Sequence, residues 1–309
     1  SPPRTEDLSS AAGNGSSGPL RRRETRSGAT MKNKIEIKNL TKHYGGFTLD
    51  NVSFGVPRGS VVGLIGENGA GKSTIIKSLL GVINTDGGEI LFDGVPLGRL
   101  GKNQRQLTGV VLDDVSLPSA VNLRELNTVM KNMFSRWDEQ TFFALTERFR
   151  LPRDKKTGEF SKGMKMKTAI AAALSHGAET LILDEPTSGL DPVARDEILD
   201  ILYDFMQNSG HAVLISSHIT SDLEKLCDYV VFIHGGKVAV SGEKDALLEE
   251  YAVYGGNISD LDPAAVVRVR RRNYGADALV KRSMIPPSFG TEKTTLEDIM
   301  LFFVKGEKL

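Results

Sequence analysis

Residues 66–74 read GENGAGKST, a composition suited to one task, the cradling of phosphate oxygens. Glycine at 66, 69 and 71 lets successive backbone amides turn inward without a Cβ in the way. Lys72 places a point charge where β- and γ-phosphates would lie, and the Ser73 hydroxyl is a hard oxygen ligand for Mg²⁺. Asn68 and Thr74 complete the binding loop. A second group of chemistry-bearing residues follows the apolar run TLILD, residues 180–184. Asp184 can share in a Mg²⁺ shell, and Glu185 can take a proton from an attacking water. An Asp-Glu pair alone usually marks a solvated loop; after a buried strand and before Pro186 it is far more specific.

These residues need elements to hold them. VVGLIG at 61–66 is a continuous apolar run that reads as a buried strand, and residues 74–80 read as the helix after the loop. Strand signals recur at 35–37, 49–56, 89–93, 107–112, 212–216 and 229–233, with helical spacing at 193–206 and 221–226. From about 118 to 176 the pattern is helical throughout. This predicts an α/β fold of the P-loop NTPase kind, with a mostly parallel sheet, an N-terminal antiparallel β part and a helical insertion subdomain. Residues 31–250 are expected to form the nucleotide domain, and 251–309 a small appended α/β element. Residues 1–30, rich in Ser, Gly, Pro and Arg, read as a disordered leader or tag.

Composition narrows the function. The 309 residues carry 39 Lys+Arg against 39 Asp+Glu, so a strongly basic nucleic-acid binder is not indicated. A single cysteine, Cys227, excludes an internal disulfide. No apolar run approaches the ~18–20 residues that span a bilayer, so work at a membrane would need a partner.

Further elements give these motifs a family context. FSKGM at 160–164 opens a helix, Ser188-Gly189-Leu190-Asp191 follows the carboxylates, and Ser217-His218 ends the next strand. Together with the phosphate loop they resemble the ATP-binding subunits of ABC transporters over roughly residues 31–250. The SKGM form, the segment MFSRWDEQTFF at 133–143 and the ending LEDIMLFFVKGE resemble the ABC-2-type bacterial exporters, whose membrane domain is a separate chain.

The resemblance implies a head-to-tail dimer closing on two ATP-Mg²⁺, built from two copies of this chain or from this chain and a second ATPase subunit. Ser161 and Gly163 would meet the γ-phosphate bound by the partner. Tyr44 would stack on adenine, His218 would bridge Glu185, water and γ-phosphate, and Asp191 would cross the interface. Other histidines (His43, His176, His211, His234) are expected to be structural. A membrane-spanning permease would be driven from the cytoplasmic face of a bacterial membrane, with no nucleic acid involved. Leu117, Val121, Leu123, Met130 and Met133 could line the groove for it, against the simpler alternative that each packs in the helical core.

The sequence departs from the commoner LSGGQ pattern at Phe160, Lys162 and Met164. Asp113 stands where many relatives have a glutamine, and either ligates Mg²⁺ or contacts the partner or solvent. Alternatives to the exporter are a soluble ABC ATPase of DNA repair or translation, disfavoured by the lack of a coiled-coil insertion or second nucleotide domain, and an importer ATPase.

Overall fold

Alternation along a few short strands decides where the two cores lie. The computed structural model describes residues 32–272, 275–286 and 288–308; the leader expected over 1–30 lies outside them. The described chain begins with an antiparallel pair, β1 (Asn33–Tyr44) and β2 (Phe47–Pro57). β3 (Val61–Ile65) leads into α1 (Lys72–Leu79). β4 (Gly87–Phe92) and β5 (Val95–Pro96) complete a four-stranded sheet of order β2-β1-β4-β5. The short α2 (Lys102–Arg105) and β6 (Thr108–Val111) come next.

The helical stretch follows as α3 (Leu123–Met133), α4 (Glu139–Arg148) and α5 (Lys162–Ser175). Strand and helix then alternate through β7 (Thr180–Asp184), α6 (Pro192–Phe205), β8 (Ala212–Ser217), α7 (Thr220–Leu226), β9 (Tyr229–His234) and β10 (Lys237–Glu243). The six-stranded sheet runs β10-β9-β3-β8-β7-β6, parallel from β9 to β6, with β10 antiparallel at its edge. This is the expected α/β architecture, antiparallel N-terminal sheet and helical region included.

Successive side chains of a strand point to opposite faces. Val61, Ile65, Leu181, Leu183, Val213, Ile215, Val230 and Phe232 therefore join one core with apolar residues of α5, α6 and α7. Val62, Leu64, Ile182, Leu214, Val231 and Ile233 join the other with β1, β2 and α1. Each fully buried large aliphatic contributes about 1.5–3 kcal/mol. Burial on both faces is why these strands read as unbroken apolar runs.

Of the two readings open for Leu123, lining the permease groove or packing in the helical core, the structure bears out the second. Leu123 is fully buried in the same core as Leu126 and Phe142, whereas Met133 is 58% exposed. The reason is local: Asn122 caps α3, accepting from the Arg124 and Glu125 N–H groups, and turns the first helical residue inward.

The C-terminal part comprises α8 (Lys244–Glu250), β11 (Tyr251–Tyr254), β12 (Val266–Arg272), β13 (Gly275–Lys281) and α9 (Leu296–Lys305). The three strands form an antiparallel sheet of order β11-β13-β12. The arginines of β12 are partly engaged within the chain. Arg268 lies over the Phe303 ring and Arg270 over the Phe302 ring, each at 5.2 Å, and Asp277 pairs with Arg270 and Arg272.

Candidate active site

The phosphate loop connects the end of β3 to α1. A Cβ on Gly66 would sit 2.6 Å from the Ile233 carbonyl oxygen and 3.1 Å from the Ala70 Cβ, so no other residue fits beside β9. Gly71 has φ +118°, and a Cβ there would press on Leu49 and Phe47 at 3.0 Å. The loop forms one wall of a cavity of about 360 Å³. Asn68, Gly69, Gly71, Lys72, Ser73, Thr74, Asp113, Asp184, Glu185 and His218 all line it. Thus ten residues expected from the sequence, spread over four separate stretches of chain, come together. Gly66 lies just behind, its carbonyl accepting from Lys72 Nζ at 2.6 Å.

The carboxylates are held from several sides. Ser73 Oγ donates to Asp184 Oδ2 at 3.2 Å, and Ser216 Oγ donates to Asp184 Oδ1 at 2.5 Å. Glu185 stands at φ +51°, a conformation that costs a non-glycine residue of order 1 kcal/mol or more. Its N–H is secured by both the carbonyl and the hydroxyl of Ser216, each at 3.1 Å. Register explains this, because Asp184 pairs with Ser216 across β7 and β8. Glu185 Oε1 is 3.7 Å from Lys72 Nζ, and Oε2 accepts from His218 Nδ1 at 2.6 Å. An ionised carboxylate only accepts, so this bond places a proton on His218 Nδ1.

Four expected residues lie outside the cavity of their own chain. Ser161 is the N-cap of α5, its Oγ accepting from the Met164 N–H at 3.2 Å. Gly163 packs in the first turn of α5, where a Cβ would meet Leu190 at 3.1 Å. Asp191 caps α6, and the Ala194 and Val193 N–H groups hold its carboxyl below the ordinary value. Tyr44 is 46% exposed, with its ring 6.4 Å from Phe47 and Lys42 Nζ 5.8 Å from its centroid.

The structure also shows residues the motifs did not mark. Phe47, Glu67 and Ser188 line the cavity, and Ser216 ties the Asp184 carboxylate to the Glu185 backbone N–H. Phe47 sits one hairpin turn beyond Tyr44, an available signal. His234, expected to be structural, bonds Glu67 at 2.9 Å.

The oxygen donors suit Mg²⁺. Ser73 and Asp184 offer a hydroxyl and a carboxylate that already face each other, hard ligands of the kind that ion prefers. Among the described residues no group of three or more His, Cys, Asp or Glu could hold a metal ion. That is consistent with an ion sharing its shell between one carboxylate, a hydroxyl, phosphate oxygens and water.

A glycine loop between a buried strand and a helix, facing an acidic strand end on a parallel sheet, defines a P-loop nucleoside-triphosphatase. Comparison with known proteins then fixes the family. Residues 49–188 match the ABC transporter family. The lantibiotic transport ATP-binding protein SrtF of Streptococcus pyogenes is 38% identical over 214 residues, 68% of this chain and 91% of that one. The Nod factor export ATP-binding protein I of Rhizobium sp. (strain N33) is 34% identical over 239 residues, 74% and 78% of the two chains. A solved ATP-binding subunit of an ABC transporter superposes with a TM-score of 0.63 at 31% identity, over 69% of this chain and 91% of that one. A dimeric bacterial ABC transporter cassette gives 0.61 at 21% identity, a likeness of fold alone, over 68% and 98%. The chain belongs to the ABC transporter family: it is an ATP-binding subunit, an ATPase coupled to transport. No helix among the described residues is long and apolar enough to cross a membrane.

Proposed function

We propose that the chain is the ATP-hydrolysing subunit of an ABC exporter, acting as a dimer on a separate membrane-spanning permease at the cytoplasmic face of a bacterial membrane. The observation that carries the catalytic part is the Lys72–Glu185–His218 arrangement at the mouth of the phosphate loop. Relatives named for Nod factor export support the direction of transport. In this reading residues 31–250 are the nucleotide domain with its helical insertion at about 118–176, and 251–309 an extension.

Lys72 and the loop amides bind the triphosphate, with Tyr44 on the adenine. Ser73 and Asp184 would hold Mg²⁺, which would neutralise charge developing on the phosphates. Asp113 lines the same cavity. Glu185 takes the proton from water as it attacks the γ-phosphorus in line, and His218 orients Glu185 and bonds the γ-phosphate. Ser161, Gly163 and Asp191 lie outside the cavity of their own chain. Their service to the site of a second chain, a copy of this one or another ATPase subunit, supports a head-to-tail dimer.

Affinity purification of Glu185→Gln protein from solubilised membranes tests the partner. A stoichiometric multi-spanning protein is expected. Recovery with ribosomes or DNA, or with no membrane protein, would overturn the exporter reading and leave the ATPase chemistry standing.

A further inference from the structure

Four carboxylates, Glu67, Asp113, Asp184 and Glu185, line the cavity that receives a triphosphate. Three of them have other bonding partners: Glu67 bonds His234, Asp184 accepts from the Ser73 and Ser216 hydroxyls, and Glu185 lies beside Lys72 and bonds His218. Asp113 has neither hydroxyl. Its partner is Lys162, whose Nζ donates to Asp113 Oδ1 at 2.7 Å. Lys162 is the first residue of α5, next to the cap Ser161. Both are positions where the sequence departs from the pattern it resembles.

We infer that Lys162 is a positioning residue for nucleotide binding: it holds Asp113 and neutralises it, so that an acidic side chain is tolerated in a triphosphate cavity. This rests on the reading of that cavity as the ATP site. Each partner is about half exposed (54% and 50%). As a stabiliser of the fold, such a pair is worth little. Its effect on a polyanion is different in kind. An unpaired carboxylate on the cavity wall faces several negative charges at once. At separations of about 8 Å through partly wet surroundings, that repulsion costs about fivefold in affinity and shrinks as salt screens it. The same bond ties the start of α5 to the wall of the cavity, so nucleotide binding and the placement of the Ser161 cap share one contact.

ATP affinity measured by equilibrium binding, with and without Mg²⁺, tests this in a Glu185→Gln background. Lys162→Gln should weaken binding about fivefold at low ionic strength, and less at high salt. Lys162→Arg should stay near the parent. Adding Asp113→Asn to Lys162→Gln should restore affinity to within about twofold, because the charge needing compensation is gone. If the double variant binds as poorly as Lys162→Gln, Lys162 does not act through Asp113 and the inference fails. It also fails if Asp113→Asn alone weakens binding only when Mg²⁺ is present, since Asp113 would then be a metal ligand. Lys72→Ala is the control for the underlying reading: unchanged ATP affinity there would mean that the cavity, not the pairing, has been misjudged.

Discussion

The carboxylates of the cavity and the charged residues of the helical region are held in opposite ways. Asp184 and Glu185 are fixed by Lys72 and Ser73 of α1, Ser216 of β8 and His218 just beyond β8, and Ser216 is fully buried. The charges on α3 and α4 meet partners in the open. Lys131 pairs with Glu139 at 3.1 Å and Arg148 with Asp204 at 3.0 Å, all of them substantially exposed. Buried bonds to charged groups are worth about 1.5–3 kcal/mol, exposed pairs about 0–1 kcal/mol. The difference teaches that the catalytic wall is built to stay, while the helical region is held to its surroundings at the polar surface by contacts that exchange at little cost.

The largest expected effect falls on the wall. Glu185→Gln keeps the shape of the side chain and removes the base, so kcat should drop by about 10²–10⁴, measured as phosphate release, with ATP binding retained. Turnover near the parental rate would show that the proton goes elsewhere. Next comes Ser216→Ala, which strips Asp184 of one partner and removes one of the two acceptors of the Glu185 N–H. Loss of a buried bond to a carboxylate predicts about a tenfold or greater fall in kcat/KM. The Mg²⁺ concentration for half-maximal activity should rise with it, a change that a general loosening of the fold would not produce. If only the unfolding temperature moved, the contrast between wall and helices would lose its best support.

Ser216 also marks the limit of the sequence. The phosphate loop was legible because its chemistry sits in nine consecutive residues whose glycines have local reasons, among them the close approach of Gly66 to β9. The strands were legible because burial on both faces leaves an unbroken apolar run. Ser216 was hidden because its role exists only across the β7–β8 register, 32 residues from Asp184. Lys162 and Asp113, 49 residues apart, were each seen as departures and not as partners. Leu123 was left open between groove and core because helical spacing marks an apolar stripe without saying which side of it meets solvent.

A smaller effect should appear with pH at the seam between the two regions. His176 caps the end of α5, is 3% exposed, and stacks on Phe134 with 4.4 Å between centroids. Its Nδ1 donates to the Ala172 carbonyl. Burial lowers its pKa from the ordinary 6.5. The unfolded chain therefore takes up the proton more readily, so this contribution to stability is complete above about pH 6.5 and is lost as pH falls toward and through the folded value. Urea midpoints should drop between pH 8 and pH 5.5 in the parent and stay level in a His176→Phe variant, relative to its own value at pH 8. The carboxylates with lowered values, Glu179 beside Lys34 among them, act only at more acidic pH and leave this window clear.

The smallest effect is the one that defines the other side of the contrast. Arg148 on α4 reaches Asp204 on α6, so this pair spans from the helical region to a helix of the nucleotide core. With Arg148 45% and Asp204 64% exposed, both ions stay hydrated and the attraction is screened. A double-mutant cycle with Arg148→Ala and Asp204→Ala should give a coupling of about 0.2–1 kcal/mol at low salt, fading as salt is added. Coupling above about 2 kcal/mol is the range of buried ionic contacts. It would mean that α4 is fastened to the core as firmly as Asp184 is to its serines, and that the helical region does not exchange its surface contacts cheaply.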